Sequence, residues 1–297
     1  MVFAALAALL AASGVCEAKD RTVHRVMTCN IRVTGLEADE GHPGRPWNER
    51  KDICLDVIKS YDADIICMQE VVYDSDAFME ENLKEYFAFG FPGPEMDPYT
   101  EGYHNIAKNV IFFRKSRYEF VSSGSYWLSE TPLIAGSCSW NTNRARHCNW
   151  VRIRDRKTGA EFRVMNVHLD HKSEEAKRNQ SMMIAAEAGQ YLEDFPQILC
   201  GDFNSGKTQP AVTTLVGAGW DDVYSGLHEG EADQFTCHLF QGAEYKPKNP
   251  GKRIDFIFTK GPVEPLSSSI VKDSRDGIYP SDHYFLVADL RINPENE

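Results

Sequence analysis

Six places along this chain set a residue capable of acid–base or metal chemistry at the edge of a short apolar run. Val26-Met27-Thr28-Cys29 stops at Asn30, and Ile65-Ile66-Cys67-Met68-Gln69 stops at Glu70. Phe162-Arg163-Val164-Met165 runs into Asn166-Val167-His168-Leu169-Asp170, and Ile198-Leu199-Cys200 runs into Gly201-Asp202-Phe203-Asn204. An acid, Asp255, stands inside Arg253-Ile254-Asp255-Phe256-Ile257-Phe258, and Ser281-Asp282-His283 directly precedes the last run. Singly each has a bland explanation: a strand-end carboxylate is usually solvated, and Asn or Asp beside Gly is an ordinary turn former. Together the types suit one chemistry. Hydrolysing a phosphoester needs a positioned water, positive charge on the non-bridging oxygens, and a metal or acid for the leaving group. Carboxylates and an amide oxygen hold a hard Mg²⁺. A histidine with an ordinary pKa near ~6.5 moves protons at neutral pH, and a carboxylate partner fixes its tautomer. The chain has no Gly-rich P-loop, no His-Glu-x-x-His and no Gly-x-Ser-x-Gly, so nucleotide-loop, zincin and serine-hydrolase chemistries lack support.

Strands must carry these groups. Runs rich in β-branched and aromatic residues at 23–29, 65–68, 110–113, 150–153, 162–167, 197–200, 254–258 and 285–290 read as strands. Helical spacing between them predicts helices over 48–61, over 75–87 with Ser75 as cap, over 173–195 with Ser173 as cap, and a short one opening at Pro210 and ending near Gly217 or Gly219. Strands and helices mix to the end of the chain, which predicts one α/β domain with helices covering sheets. Period-two alternation puts His168 and Asp170 on one side, and Asp202 with Asn204 wherever the backbone stays extended. Asp282 and His283 are adjacent, so a turn has to present both to one cavity. The stretch 129–149 has little periodicity, and a loop that long in a compact domain is usually functional or mobile.

Composition narrows the partners. The net charge of −12 gives no long-range attraction to a polyanion, which disfavours a non-specific nucleic-acid binder. The apolar run from Val2 to Ala12, followed by small residues up to Ala18, fits a signal peptide over 1–18 and a mature domain over 19–297, secreted or periplasmic. It is too short to span a bilayer comfortably, so no stable membrane insertion is expected. Of eight cysteines, Cys29, Cys54, Cys67 and Cys200 lie in apolar runs and read as core residues, whereas an exported protein could bridge Cys138 and Cys148.

In chain order, Cys29-Asn30, Met68-Gln69-Glu70, Asn166-Val167-His168-Leu169, Gly201-Asp202-Phe203-Asn204, Arg253-Ile254-Asp255 and Ser281-Asp282-His283 resemble the motifs of the endonuclease/exonuclease/phosphatase superfamily, from Met27 to Leu290. Further stretches, Pro46-Trp47-Asn48-Glu49-Arg50, 126–132, Arg146 followed by Trp150, and His168-Leu169-Asp170-His171 before a helix with Arg178, resemble a bacterial subgroup of it. The resemblance implies a four-layer α/β sandwich, two packed mixed β-sheets flanked by helices, of DNase-like fold. It implies Glu70, helped by Asn30, as the principal Mg²⁺ ligand (Mn²⁺ as the alternative ion), with Asp282 supporting the metal. It implies His168 as a contact to the scissile phosphate or an acid for the leaving group. Asp202 resembles the residue that orients or deprotonates the attacking water, and Asn204 one that holds a phosphate oxygen. His283 with Asp255 resembles a His–Asp dyad, which leaves Asp202 and His283 both open as the base.

Arg50, Arg146, His171 and Arg178 are further candidates for substrate contacts, since a planar fork near a phosphate is a common use of Arg. The basic stretch 246–252 reads as a solvated turn able to steer an anion. The expected protein is a monomeric, Mg²⁺-dependent hydrolase of a small phosphorylated metabolite or lipid headgroup. An extracellular nuclease is the alternative, and a non-catalytic binding module on the same fold is a third reading.

Overall fold

The computed structural model describes residues 22–90, 107–230, 234–246 and 253–292. The proposed signal segment, and all of the basic stretch beyond Lys246, lie outside these residues. Twelve strands form two six-stranded sheets. In the first, the order is β11 (Val263–Val271), β12 (Phe285–Ile292), β1 (Val23–Asn30), β2 (Ile65–Val71), β4 (Lys108–Arg114), β3 (Tyr86–Phe89). In the second it is β5 (Tyr118–Trp127), β6 (His147–Asp155), β7 (Glu161–His168), β8 (Gln197–Asp202), β10 (Asp255–Lys260), β9 (Asp221–Asp222). Each sheet holds one parallel pair, β1 with β2 and β7 with β8, and the other pairs are antiparallel. The parallel pairs need crossovers, which α1 (Trp47–Ser60) and α3 (Glu174–Ala188) supply. Helices α2 (Tyr73–Asn82), α4 (Pro210–Gly217) and α5 (Val223–Leu227) and a 3-10 turn (Gly242–Glu244) complete the elements among the described residues.

The alternation of apolar residues builds four layers. Val26, Ile65, Val164 and Ile198 face the gap between the sheets and pack there with Cys67, Ile111, Cys200 and Ile257. Their chain neighbours Met27 and Ile66 turn outward onto Ile53, Cys54 and Ile58 of α1 and Met79 of α2. Met165 and Leu199 turn outward onto Ile184 of α3 and Leu215 of α4. Each central strand is thus buried on both faces, as its near-continuous apolar composition requires. Towards the end where the polar residues fall, the gap turns hydrophilic. Gln69 Nε2 donates to Asn166 Oδ1 at 2.7 Å, and Asn166 Nδ2 donates to the carbonyls of Met68 and Val110, both at 2.9 Å. These amides brace one sheet against the other.

Several local expectations need correcting. Ser75 is not the cap of α2. The helix starts earlier, behind Val72, and the Ser75 hydroxyl accepts the Val72 N–H at 3.0 Å from inside the first turn. The helix ends at Asn82 because residues beyond it form edge strand β3. Ser173 does cap α3, accepting Ala176 N–H at 3.1 Å, but α3 stops at Ala188, before Gly189. Strands β5 and β11 are not apparent in the sequence as strands, since both lie at sheet edges and bury only their terminal residues. Cys138 and Cys148 are not bridged: Cys138 is exposed in the loop, while Cys148 is buried in β6.

Candidate active site

Register brings three of the expected residues onto one rung. His168 pairs with Asp202 across β7 and β8, and Asp202 pairs with Asp255 across β8 and β10. Gly201 permits the close approach just behind this rung, because a Cβ there would stand 2.2 Å from the Val167 carbonyl oxygen. Beyond Asp202 the chain does not stay extended. Phe203 is pulled into an edge-to-face cluster with Phe256 and Phe258, and Asn204 takes a left-handed conformation, φ 48°. Its N–H then donates to Asp202 Oδ1 at 2.8 Å, while Nδ2 lies 3.0 Å from His168 Nε2 and 3.1 Å from the Leu169 carbonyl. The Asn204 amide donates to His168 Nε2, which fixes that nitrogen as the acceptor of a neutral ring.

The other sheet contributes Asn30 and Glu70. Pairing of β2 with β4 is irregular between Met68 and Val71, and Glu70 sits in that irregularity with φ 63°. A bulky residue held in this conformation marks a site the surroundings over-determine. The bulge turns Gln69 into the gap and frees Glu70 to reach the cleft, where its Oε2 accepts Val33 N–H at 2.7 Å. Asn30 Nδ2 donates to Glu70 Oε1 at 3.2 Å and to Asp202 Oδ2 at 3.0 Å, joining the two sheets. The turn before β12 delivers the remainder: His283 Nδ1 is 2.9 Å from Asp255 Oδ2, its Nε2 is 3.9 Å from Asp202 Oδ2, and Asp282 Oδ2 is 3.2 Å from Arg32 Nη1. Asn30, Glu70, His168, Asp202, Asn204, Asp255, Asp282 and His283 therefore converge on one cleft.

Burial separates their proton affinities. Asp202 is pushed up to about 7 by burial and the nearby Asp255, against the pull of His283 and the Asn204 N–H. Burial also raises Asp282, partly offset by His283 and Arg32. For Glu70 burial works against ionisation, but the Val33 N–H, Arg32, His283 and Asn30 outweigh it and hold the carboxyl below its ordinary value. Burial works likewise against charge on His283, yet Asp255 and Cys237 carry it well above its ordinary value. His168 is lowered by burial and by Arg146 and His283, in keeping with its neutral ring.

A cation fits this donor set. Asp202, Asp255 and His283 each offer a ligand atom, all within 4.8 Å of one another. Asp255 and His283 already satisfy each other, however. The better-placed oxygens are those of Glu70 and Asp202, between which the partly positive Asn30 amide group now lies. Crowded carboxylates facing partial positive charge are the donors a hard divalent ion takes.

The other expected contacts divide. Arg146 is buried directly before β6, with Nη2 3.3 Å from His171 Nδ1. Arg178 is exposed on α3, and among the described residues no hydrogen bond or ion pair ties it to the cleft. Arg50 is a correction. It is fully buried and gives its N–H groups to four carbonyls: Arg45 at 2.8 Å, Ile31 at 2.6 Å, Pro280 at 2.9 Å and Arg32 at 2.9 Å. It staples the segment after Asn30 to the segment before Asp282, so it positions the site and has no fork to offer a substrate. Asp170 is placed by the sequence on the side of His168 and within the stretch that resembles the bacterial subgroup. It accepts Thr142 Oγ1 at 2.8 Å, Asn143 N–H at 2.9 Å, Lys172 N–H at 2.9 Å and Ser173 N–H at 2.7 Å, fastening the long loop to the start of α3. Arg32, paired with Asp39 and Asp282, was missed, since an Arg after a strand end carries no distinguishing pattern.

Two mixed sheets packed between helices, with a His–Asp pair and clustered carboxylates at the strand ends, define an α/β sandwich of DNase-like fold with a candidate active site. The chain belongs to the endonuclease/exonuclease/phosphatase family, whose model matches residues 27–283. It is similar to the endonuclease/exonuclease/phosphatase from Bacteroides vulgatus, at 28% identity and a TM-score of 0.79 over 91% of this chain and 99% of that one. It is similar to a mannosyl-6-phosphatase from Bacteroides thetaiotaomicron, at 25% identity and a TM-score of 0.77 over 90% of this chain and 99% of that one. It also matches nocturnin from Drosophila melanogaster at 24% identity over 84% of this chain, but spans only 43% of that protein.

Proposed function

We propose that this chain is an exported, Mg²⁺-dependent hydrolase of a small phosphorylated metabolite. The observation that carries the reading is the convergence, across two sheets, of Asp202 with the His283–Asp255 pair and the Glu70–Asn30 pair. In this reading Asp202 orients the attacking water and takes its proton. His283, kept cationic by Asp255, donates Nε2–H to a phosphoryl oxygen. Asn204 keeps His168 neutral and fixes its ring against the phosphate. Glu70 and Asp202 would hold the divalent ion, joined by Asn30 once its amide oxygen, which accepts the Arg32 N–H at 3.0 Å, turns toward them; the ion would supply positive charge to the phosphoryl and leaving oxygens. A small substrate suits the net charge of −12, and the mannosyl-6-phosphatase neighbour supports a phosphorylated sugar over a lipid headgroup or nucleic acid. Export rests on residues 1–18, and cell fractionation with antibody to the mature domain tests it. Activity is tested with a panel of sugar phosphates, nucleotides, phosphocholine lipids and DNA, with Mg²⁺ or Mn²⁺ and with EDTA. Full turnover in EDTA, or undiminished turnover by Glu70→Ala, would refute the reading.

A further inference from the structure

Five arginines are buried among the described residues, and four have conventional partners. Arg163 holds Glu187 through two bonds of 2.7 and 2.8 Å, and Arg253 meets Asp222 at 2.5 Å. Arg117 bridges Asp64 and Asp155, and Arg50 takes four carbonyls. Arg146 differs. It is 8% exposed, yet among the described residues its guanidinium makes no hydrogen bond or ion pair to a carboxylate or carbonyl; its Nε is buried without a partner, as are those of Arg163 and Arg253, whose other nitrogens are paired. Its polar contact is the His171 ring at 3.3 Å, where Nδ1 must accept. A guanidinium taken out of water without a counter-charge is destabilising unless something else meets it. Its surroundings show what that would be. Burial lowers Arg146, while Glu70, Asp170 and Asp202 raise it, so it lies within electrostatic reach of the cleft carboxylates. Asp170 anchors both the turn that carries His171 and the loop that leads into Arg146, which makes the pair a fixed ledge.

We propose that Arg146, oriented by His171, clamps the substrate's phosphoryl group and gives the site a preference for phosphomonoesters over phosphodiesters. This rests on the hydrolase reading above. A terminal phosphoryl group offers three non-bridging oxygens and two negative charges near neutral pH, whereas a diester offers two oxygens and one charge. Attraction scales with charge, and a planar fork takes two of those oxygens at once. The reaction breaks the bond from phosphorus to the ester oxygen and forms one from phosphorus to the water oxygen. A water proton goes to the departing alcohol, and the dianionic monoester leaves as hydrogen phosphate. The product is therefore also a ligand of the clamp.

The test compares Arg146→Met and Arg146→Lys with the wild type, using p-nitrophenyl phosphate, bis-p-nitrophenyl phosphate, and titration calorimetry of inorganic phosphate with the Mg²⁺-loaded protein. Arg146→Met should melt no lower than the wild type, since it removes an uncompensated buried charge. It should lose about 100-fold in kcat/KM on the monoester, tenfold less on the diester, and about tenfold in phosphate affinity. Arg146→Lys should recover part of the binding loss but not the monoester preference. A clear fall in Tm with phosphate affinity unchanged would make Arg146 structural and overturn the proposal. Equal losses on the two esters would overturn the monoester preference. A wild type that binds phosphate through Arg146 but turns over no phosphoester would refute the hydrolase reading and leave the anion clamp standing.

Discussion

Replacing Asp202 with Asn should abolish turnover while making the metal-free protein more stable at alkaline pH. Asp202 is 2% exposed, and its carboxyl is raised from the ordinary 3.8 to about 7. The folded state therefore binds the proton more tightly than the unfolded chain does. Its contribution to stability is complete below the ordinary value and is lost as pH rises through about 7. Three pH units at about 1.4 kcal/mol each put the cost of ionising it near 4 kcal/mol at pH 8, as an upper bound. An Asn side chain never incurs that cost. It still accepts the Asn204 N–H, but it sets an amide nitrogen against Asn30 Nδ2, 3.0 Å away from the oxygen it replaces. Losing that bond costs about 1–3 kcal/mol, so the net gain at pH 8 is about 1–3 kcal/mol. For a domain of this size that raises Tm by about 2–6 °C.

The assay is thermal unfolding of EDTA-treated wild type and Asp202→Asn from pH 4 to pH 8, followed by the same series in Mg²⁺. The gap in Tm should be negative by a few degrees at pH 4, change sign between pH 4 and 7, and be most positive at pH 8. Added Mg²⁺ should stabilise the wild type more than the variant, because the ion binds the ionised native site. A gap independent of pH, or a variant less stable at pH 8, would refute the assignment of Asp202 as the site's strained carboxyl.

Three more outcomes follow from the same geometry. Asp255→Asn should lower kcat by about 10²–10⁴-fold, and should move the high-pH limb of the kcat/KM profile downward, because His283 loses the partner that holds it protonated; a pH–rate profile checks both. Glu70→Gln should weaken Mg²⁺ binding at least about tenfold by calorimetry while leaving the fold intact by circular dichroism. Arg50→Lys should destabilise the protein by at least about 3 kcal/mol in urea unfolding, since an ammonium cannot span four carbonyls set around a planar fork.

What the sequence disclosed depended on which physical signal each residue leaves. His168, Asp202 and Asp255 were legible because each interrupts a run that burial on both faces makes apolar. The sheet order was not: nothing local says that β8 lies between β7 and β10, and it is this pairing that turns three isolated polar residues into one rung. Glu70 was legible as a type, but its route into the cleft needs a bulge with φ 63°, which alternation alone would have misdirected. Arg50 shows the opposite failure. Its chemistry suited a phosphate clamp, but its partners are main-chain carbonyls, and carbonyls have no sequence signature. Edge strands β5 and β11 escaped notice because a strand with one neighbour needs little apolar surface.

The placement of charge explains why such a site needs both sheets. The C-terminal ends of β1 and β2 deliver Asn30 and Glu70, and the ends of β7 and β8 deliver His168 and Asp202, from two layers that pack about 10 Å apart. No single layer can surround a phosphoryl group, and carboxylates crowded between two layers repel each other. The interior next to the cleft meets this with neutral amides. Asn166 ties Gln69 to the carbonyls of Met68 and Val110, and Asn30 sets an amide nitrogen between Glu70 and Asp202. Amides supply directed donors without adding charge, so the sheets are held at a fixed spacing while the repulsion among the acids is left unneutralised. Burial and that residual repulsion together raise Asp202, and the repulsion is also what a divalent cation would relieve; the same feature that weakens the metal-free fold prepares the cleft for an ion and a phosphate together.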